Sequence, residues 1–275
     1  MANFHSDEWI MQRLMEHKEE ACSLVPEDHM VGIFLQGSQN YGLDYEGSDI
    51  DTKCIVTPPF SKIALNRKPV STTHVRANDE HIDMKDIRLY VDTFRKQNLN
   101  FLEILWTPYF WINPMYKWEW DMLVQHREEI ARYYPWRAMK SMKGIALEKY
   151  HAMEHEYPSR MEWIKKFGYD PKQLHHLLRI ADFITNYIDG MDYASCMRPS
   201  NPEFLKEVKV GKFTLEEARV EADKAMQHIE MLADTYCENH DKEGYDTEMD
   251  ELFDRVSFEI MEKSVINDFK KEGLL

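Results

Sequence analysis

A chain of 275 residues with 43% hydrophobic content is long enough for one large domain or two modest ones and needs no covalent staples to hold a core. Its formal charge of −15 works against a protein whose main task is gripping a nucleic-acid backbone, although it leaves room for a local basic groove. No apolar run approaches the ~20 residues that span a bilayer, and the first residues lack a basic segment followed by an apolar one. Four scattered cysteines (Cys22, Cys54, Cys196, Cys237) without a C-x-x-C pair argue against a structural zinc site or a disulfide framework. A cytoplasmic protein with reduced thiols is expected.

In chain order, Asp7 to Leu24 has the apolar spacing of an amphipathic helix, with Ser6 placed to cap it. The stretch VGIFLQGSQNYGLDYEGSDIDTKCIV, Val31 to Val56, then reads as a short apolar strand, a break at Gly37-Ser38, a polar turn, and a second strand carrying Asp49 and Asp51 at alternate positions. Side chains two apart on a strand share one face. At a separation of ~6 Å and an effective dielectric near 20, two bare carboxylates repel by about 2 to 3 kcal/mol, a penalty that a divalent cation removes. Glycine lets a backbone approach a ligand closely, and free N–H groups at a helix start, with the Ser38 hydroxyl, suit phosphate oxygens. Phosphate on one side and metal on the other describe a nucleotide site.

Gly37-Ser38 followed by Asp49-Ile50-Asp51 resembles the signature of the DNA polymerase β superfamily of nucleotidyltransferases. The fuller form, GSQNYGLDYEGSDID, is similar to a bacterial and phage subgroup in which Gly-Ser-x-x-Tyr-Gly leads to Ser-Asp-x-Asp. The resemblance runs from about Val31 to Asp234. It implies an α+β fold: a small mixed β-sheet domain with flanking helices (1–113), then a C-terminal helical bundle (114–275) over the nucleotide cleft. It implies transfer of a nucleoside monophosphate, most simply AMP from ATP, to an acceptor hydroxyl with loss of pyrophosphate. Two Mg²⁺ ions, for which Mn²⁺ can substitute, would sit on Asp49, Asp51 and a third acid, and Gly37 and Ser38 would hold the β- and γ-phosphates. Ser48 is grouped on the nucleotide side, with the fixing of its turn as the expected work. Tyr41-Gly42 belongs to the resemblance; Gly42 suits a positive φ.

Ser61 to Asn78 is polar and irregular, and reads as a loop. EHIDMK, Glu80 to Lys85, reads as a strand with Ile82 and Met84 inward and His81, Asp83 and Lys85 outward. Resemblance carries the third-acid role onto Asp83 ahead of Asp79, Glu80 or Asp86. Asp86 caps a helix through Phe94, QNLNFLEILW continues after a polar break, and the Pro-containing stretch Thr107 to Pro114 is the expected boundary. Beyond it helices are expected at Tyr116–Tyr133, Trp136–His155, Pro171–Ile188, Thr214–Asn239 and Glu248–Lys270, with Tyr157–Tyr169 and Asp189–Pro202 as loops. GYDPKQLHHLLR resembles the subgroup's Gly-Tyr-Asp-x-Lys-x-x-x-His-x-x-Arg. Lys172, His176 and Arg179 share one helical face, either as triphosphate or acceptor contacts or as a surface salt-bridge row. Lys143 and Lys149 are second candidates for phosphate contact, or solvated lysines. His151 and His155 lack a third ligand and read as surface.

The expected partners are a nucleoside triphosphate and a small-molecule, protein or tRNA acceptor, with neither a membrane nor a long nucleic acid. A non-catalytic nucleotide-binding module on the same fold is the alternative, its signature being a lost carboxylate or a lost Gly-Ser; a protein- or tRNA-modifying enzyme of a toxin or defence system is a third reading.

Overall fold

The computed structural model describes residues 3–275. Its helices are α1 (Asp7–Leu24), α2 (Phe60–Ala64), α3 (Ile87–Arg95), α4 (Leu99–Leu102), α5 (Lys117–Gln125), α6 (Arg127–Arg132), α7 (Pro135–Ala152), α8 (Met161–Phe167), α9 (Pro171–Ile188), α10 (Tyr193–Met197), α11 (Pro202–Lys209), α12 (Leu215–Glu238) and α13 (Thr247–Lys271). Its strands are β1 (Met30–Gln36), β2 (Asp51–Val56), β3 (Ser71–Val75), β4 (His81–Asp86) and β5 (Phe110–Ile112). The fold is α+β, and the sheet is mixed, in the order β3-β4-β2-β1-β5. The β2–β4 pair is parallel, and the β1–β2, β1–β5 and β3–β4 pairs are antiparallel. No helix among the described residues is long and apolar enough to cross a membrane.

The contacts divide the chain into two compact units, Met1–Tyr133 with Asp246–Leu275, and Tyr134–Tyr245. These units do not follow the 113/114 boundary expected from sequence. The reason lies in Thr107 to Pro114, which is not a linker: Phe110, Trp111 and Ile112 form a strand registered on Phe34, Ile33 and Gly32. Close approach is required there, since a Cβ on Gly32 would lie 2.9 Å from the Trp111 carbonyl oxygen. The expected loop Ser61–Asn78 also carries structure, α2 and the edge strand β3, whose Ser71-Thr72-Thr73 run is exposed and so shows no apolar alternation. The loop expected at 157–169 contains α8, ended by Gly168 at φ +80°, and that at 189–202 contains α10, capped by Asp192.

In the first unit, α1 starts where the Ser6 hydroxyl accepts the Trp9 N–H and lays Ile10, Leu14 and Ala21 on one sheet face. There they meet Ile33, Leu35, Cys54, Val56, Ile82 and Met84. On the opposite face Phe34 packs on Trp120 of α5, with centroids 4.3 Å apart. α13, far away in sequence, completes this unit. Phe253 lies against Phe94 and Tyr133, and Arg95 of α3 donates to Asp250 and Asp254. Its far end docks through a buried polar knot. His29 Nε2 meets Asp268 Oδ1 at 3.0 Å, and His29 Nδ1 lies 3.1 Å from Thr57 Oγ1 and 3.2 Å from Ser264 Oγ. Ser264 is 1% exposed, so this Ser-His-Asp set holds a helix down and offers no nucleophile to a substrate.

The second unit is a bundle in which α7, α9 and α12 pack on one another and α10 and α11 lie along α9. Tyr169 donates to the Phe213 carbonyl, and Asp170 caps α9 at the Lys172 N–H while receiving a two-pronged bond from Arg160. Thr214 and Glu217 form a reciprocal cap on α12.

Because His29 ties two buried hydroxyls and the half-buried carboxylate of Asp268, His29→Ala is expected to cost about 3 kcal/mol of stability. Urea unfolding followed by circular dichroism measures this as a lower midpoint, and an unchanged midpoint counts against the knot as an anchor of α13.

Candidate active site

β1 ends at Gln36, which pairs with Asp51 at the start of β2, so the Gly37-Ser38 turn and the two acids meet at one end of the sheet. Gly37 adopts φ +111°, which a side chain would strain, and Ser38 opens a short 3-10 turn that Gly42 closes at φ +68°. Neither Gly37 nor Ser38 is buried. The next residues tie the turn in place. Gln39 Nε2 donates to the Asp49 carbonyl at 2.8 Å, and Asn40 donates to the Leu35 carbonyl while accepting the Thr107 hydroxyl. Ser48 is buried, and its hydroxyl accepts the Tyr45 N–H to close the bend before Asp49.

The strand begins at Asp51, so Asp49 precedes it, yet alternation holds: Asp49 is exposed, Ile50 buried and Asp51 half-buried. Among the described residues the Asp49 carboxylate has no hydrogen bond or ion pair. Asp51 Oδ1 accepts the His81 N–H at 2.9 Å and lies 3.0 Å from His81 Nδ1, which leaves Oδ2 without a bond among the described residues. Burial, and then the charge of Asp49, push the Asp51 carboxyl up despite the His81 bonds.

The parallel pairing sets Asp83 opposite Lys53, one step along from Asp51. Asp51, Lys53, His81, Asp83 and Lys85 therefore line one face of the β2–β4 pair, with the Asp51 and Asp83 Cα atoms about 8 Å apart by strand geometry. Asp83 Oδ2 accepts Lys53 Nζ at 3.2 Å. Among the described residues, the set Asp49, Asp51 and Asp83 does not close to the spacing of a single ion, and Asp28, His29 and Asp268 do. There Asp28 is held by Lys271 and Asn267, and Asp268 accepts the Phe60 N–H, so these groups are already used in docking α13.

The other sequence candidates lie in the second unit. Lys143 donates to Asp234 at 3.0 Å, joining α7 to α12, and Lys149 donates to Glu148 at 2.7 Å. Lys172, His176 and Arg179 follow the spacing of one face of α9, with Arg179 buried. Packing around its ring pushes His176 well below the usual histidine range. The neighbouring His175 donates to the Leu205 carbonyl, and burial lowers it to about 3. His151 and His155 are exposed.

Sequence reasoning missed the support beneath the acids. Glu80, 4% exposed, accepts the Ile50 N–H on Oε1 at 3.2 Å, holding the peptide between the two aspartates. Its Oε2 receives His17 Nε2 at 2.9 Å, Arg76 at 2.8 Å, and Arg13. With its Nε2 proton on Glu80, His17 accepts the Thr52 hydroxyl on Nδ1. Burial first, with the charges of Arg76 and Arg13, lowers His17 against the pull of Glu80 and keeps it neutral. The one signal in the sequence was His17 on the apolar stripe of α1. Lys53 was also missed, although its place two beyond Asp51 puts it on the same face.

No protein-family model matches the chain, and no curated protein matches it. Among solved structures, a nucleotidyltransferase-like protein from Exiguobacterium sibiricum 255-15 is similar at 12% identity and a TM-score of 0.33, over 96% of this chain and 92% of that one. At that level of superposition the likeness identifies neither a shared family nor a shared activity.

The Glu80 clamp makes the site's stability depend on pH. Burial pushes the Glu80 carboxyl up, but the bonds from His17, Asn78 and Ile50 and the charge of Arg13 outweigh it and hold the group at about 2, below its ordinary 4.5. A depressed pKa contributes stability that is complete above pH 4.5 and is lost as pH falls toward 2. Glu80→Gln is expected to lose about 2 to 4 kcal/mol at neutral pH. Its melting temperature should then fall less steeply than that of the unaltered protein through the acid window, as calorimetry at stepped pH would reveal.

Proposed function

We propose that the protein is a nucleotidyltransferase that moves a nucleoside monophosphate, most simply AMP from ATP, to a hydroxyl of an acceptor and releases pyrophosphate. The observation that carries this reading is the meeting, at one end of the sheet, of the Gly37-Ser38 turn, which is not buried, with the exposed Asp49 carboxylate and with Asp51, whose Oδ1 is held by His81 and whose Oδ2 has no bond among the described residues. Hard oxygen donors in this state fit Mg²⁺, or Mn²⁺ in its place, better than a soft metal. Burial first and then the charge of Asp49 raise the Asp51 carboxyl, and the second of these is what such an ion relieves. When bound, the ion supplies charge stabilisation to the non-bridging and leaving oxygens of the reacting phosphate.

The chain's own groups then divide the work. Asp49 and Asp51 hold the ion; His81 fixes the Asp51 rotamer by a two-point bond, and Glu80 fixes the backbone between the acids. The Gly37 backbone and the Ser38 hydroxyl bind the β- and γ-phosphates and keep the leaving diphosphate in line. In the reaction the acceptor oxygen forms a bond to the α-phosphorus while the bond from that phosphorus to the bridging oxygen breaks. The hydroxyl proton passes to a carboxylate or to water. The net charge of −15 favours a small molecule or a protein as acceptor over a long polynucleotide, and a tRNA end is compatible with it because only a few phosphates need be touched.

Incubating the protein with each α-³²P-labelled nucleoside triphosphate, Mg²⁺ and a cell lysate, then separating protein, RNA and small molecules, tests the reading. Label should enter one class with release of pyrophosphate, and Asp51→Asn should lower the rate by at least about 10²-fold. Nucleotide binding without any transfer, unaffected by Asp51→Asn, would identify a binding module instead.

A further inference from the structure

We infer that Asp83 is not a metal ligand in this chain but the counter-ion of Lys53, whose ammonium is a resident cation in the place of a second divalent ion, so that Asp49 and Asp51 take a single ion. This rests on the transferase reading above and departs from the two-ion arrangement expected from sequence. The two ends of the charged face differ. At one end Asp49 is exposed and has no partner among the described residues, and Asp51 offers Oδ2. At the other, Lys53 stands in register with Asp83 and reaches it at 3.2 Å.

Lys53 is 3% exposed, and its ammonium lies 3.9 Å from the centre of the Phe101 ring, so carboxylate and ring face hold it together. Its stem is enclosed, and the charge cannot swing into water without giving up both partners. Lys85, two residues along from Asp83, lies 5.1 Å from the same ring and donates to Ser71 Oγ at 3.0 Å. An ion at Asp83 would therefore enter a row that already carries two ammonium groups, each repelling a divalent charge twice as strongly as a monovalent one. Oδ2 of Asp83 already accepts Lys53, so the carboxylate's charge is shared with a resident ammonium before any ion arrives.

Titration of the full chain with Mn²⁺ alone, without nucleotide, followed by electron paramagnetic resonance of the free ion, counts the sites directly. One ion per chain is expected. Asp51→Asn should weaken it at least tenfold, and Asp83→Asn should leave the count at one. Lys53→Met, which keeps the stem over Phe101, should admit a second ion that the Lys53→Met/Asp83→Asn double variant loses again. Two ions on the unaltered protein, one of them lost in Asp83→Asn, would overturn the inference and leave the transferase reading standing. No ion sensitive to Asp51→Asn would remove both. Should Lys53→Met fail to fold, the comparison of the unaltered protein with Asp83→Asn still decides.

Discussion

The Glu80 carboxylate, buried at the head of β4, is the interaction on which the rest of the site depends. It accepts the Ile50 amide and so fixes the peptide that separates Asp49 from Asp51. Two acids at alternate positions repel, and a loosely held chain would relieve that by turning one of them away. Glu80 prevents this without touching either acid. Its own burial is sustained by Arg13, Arg76 and a neutral His17, three donors from α1 and the β3–β4 turn. Breaking a buried ionic set by removing one member typically costs about 3 to 5 kcal/mol, more than a surface pair contributes. The clamp therefore joins α1, β2 and β4 energetically as well as positioning the acids.

Above the clamp, parallel pairing distributes charge along one face. His81 attends Asp51, Lys53 attends Asp83, and Asp49 is exposed. The turn before β2 is tied down by the amides of Gln39 and Asn40, so the phosphate-side backbone and the metal-side backbone are linked by a direct bond to the Asp49 carbonyl. In the second unit, two of the lysines considered for phosphate contact have carboxylate partners, Asp234 for Lys143 and Glu148 for Lys149. Lys143 bridges α7 and α12, and the Gly-Tyr-Asp run turns the corner from α8 into α9.

Some features were plain in the sequence because their physical cause is local. Asp86 capping α3, the bounds of α9, the inward Ile82 and Met84, and the positive φ of Gly42 all follow from residues a few positions apart. Others were hidden because their cause is distant. β3 is an edge strand of exposed threonines whose conformation is fixed only by β4, and β5 lies between prolines and is defined by its pairing with β1. α13 has the periodicity of any amphipathic helix. Nothing within it announces that Ser264 and Asp268 will meet His29, more than 230 residues away.

The sequence by itself determined the α+β class, the turn-and-two-acids block, and the face on which Asp83 would lie, since periods of two and 3.6 residues are properties of the backbone. Only the tertiary structure decided that α13 returns to the sheet, that Glu80 supports the acids, and that Lys53 is the partner of Asp83. Each of those is a choice of partner for a buried charge or hydroxyl. Such choices are made by whichever complementary group the packed chain brings within about 3 Å, a distance that no spacing along the sequence encodes.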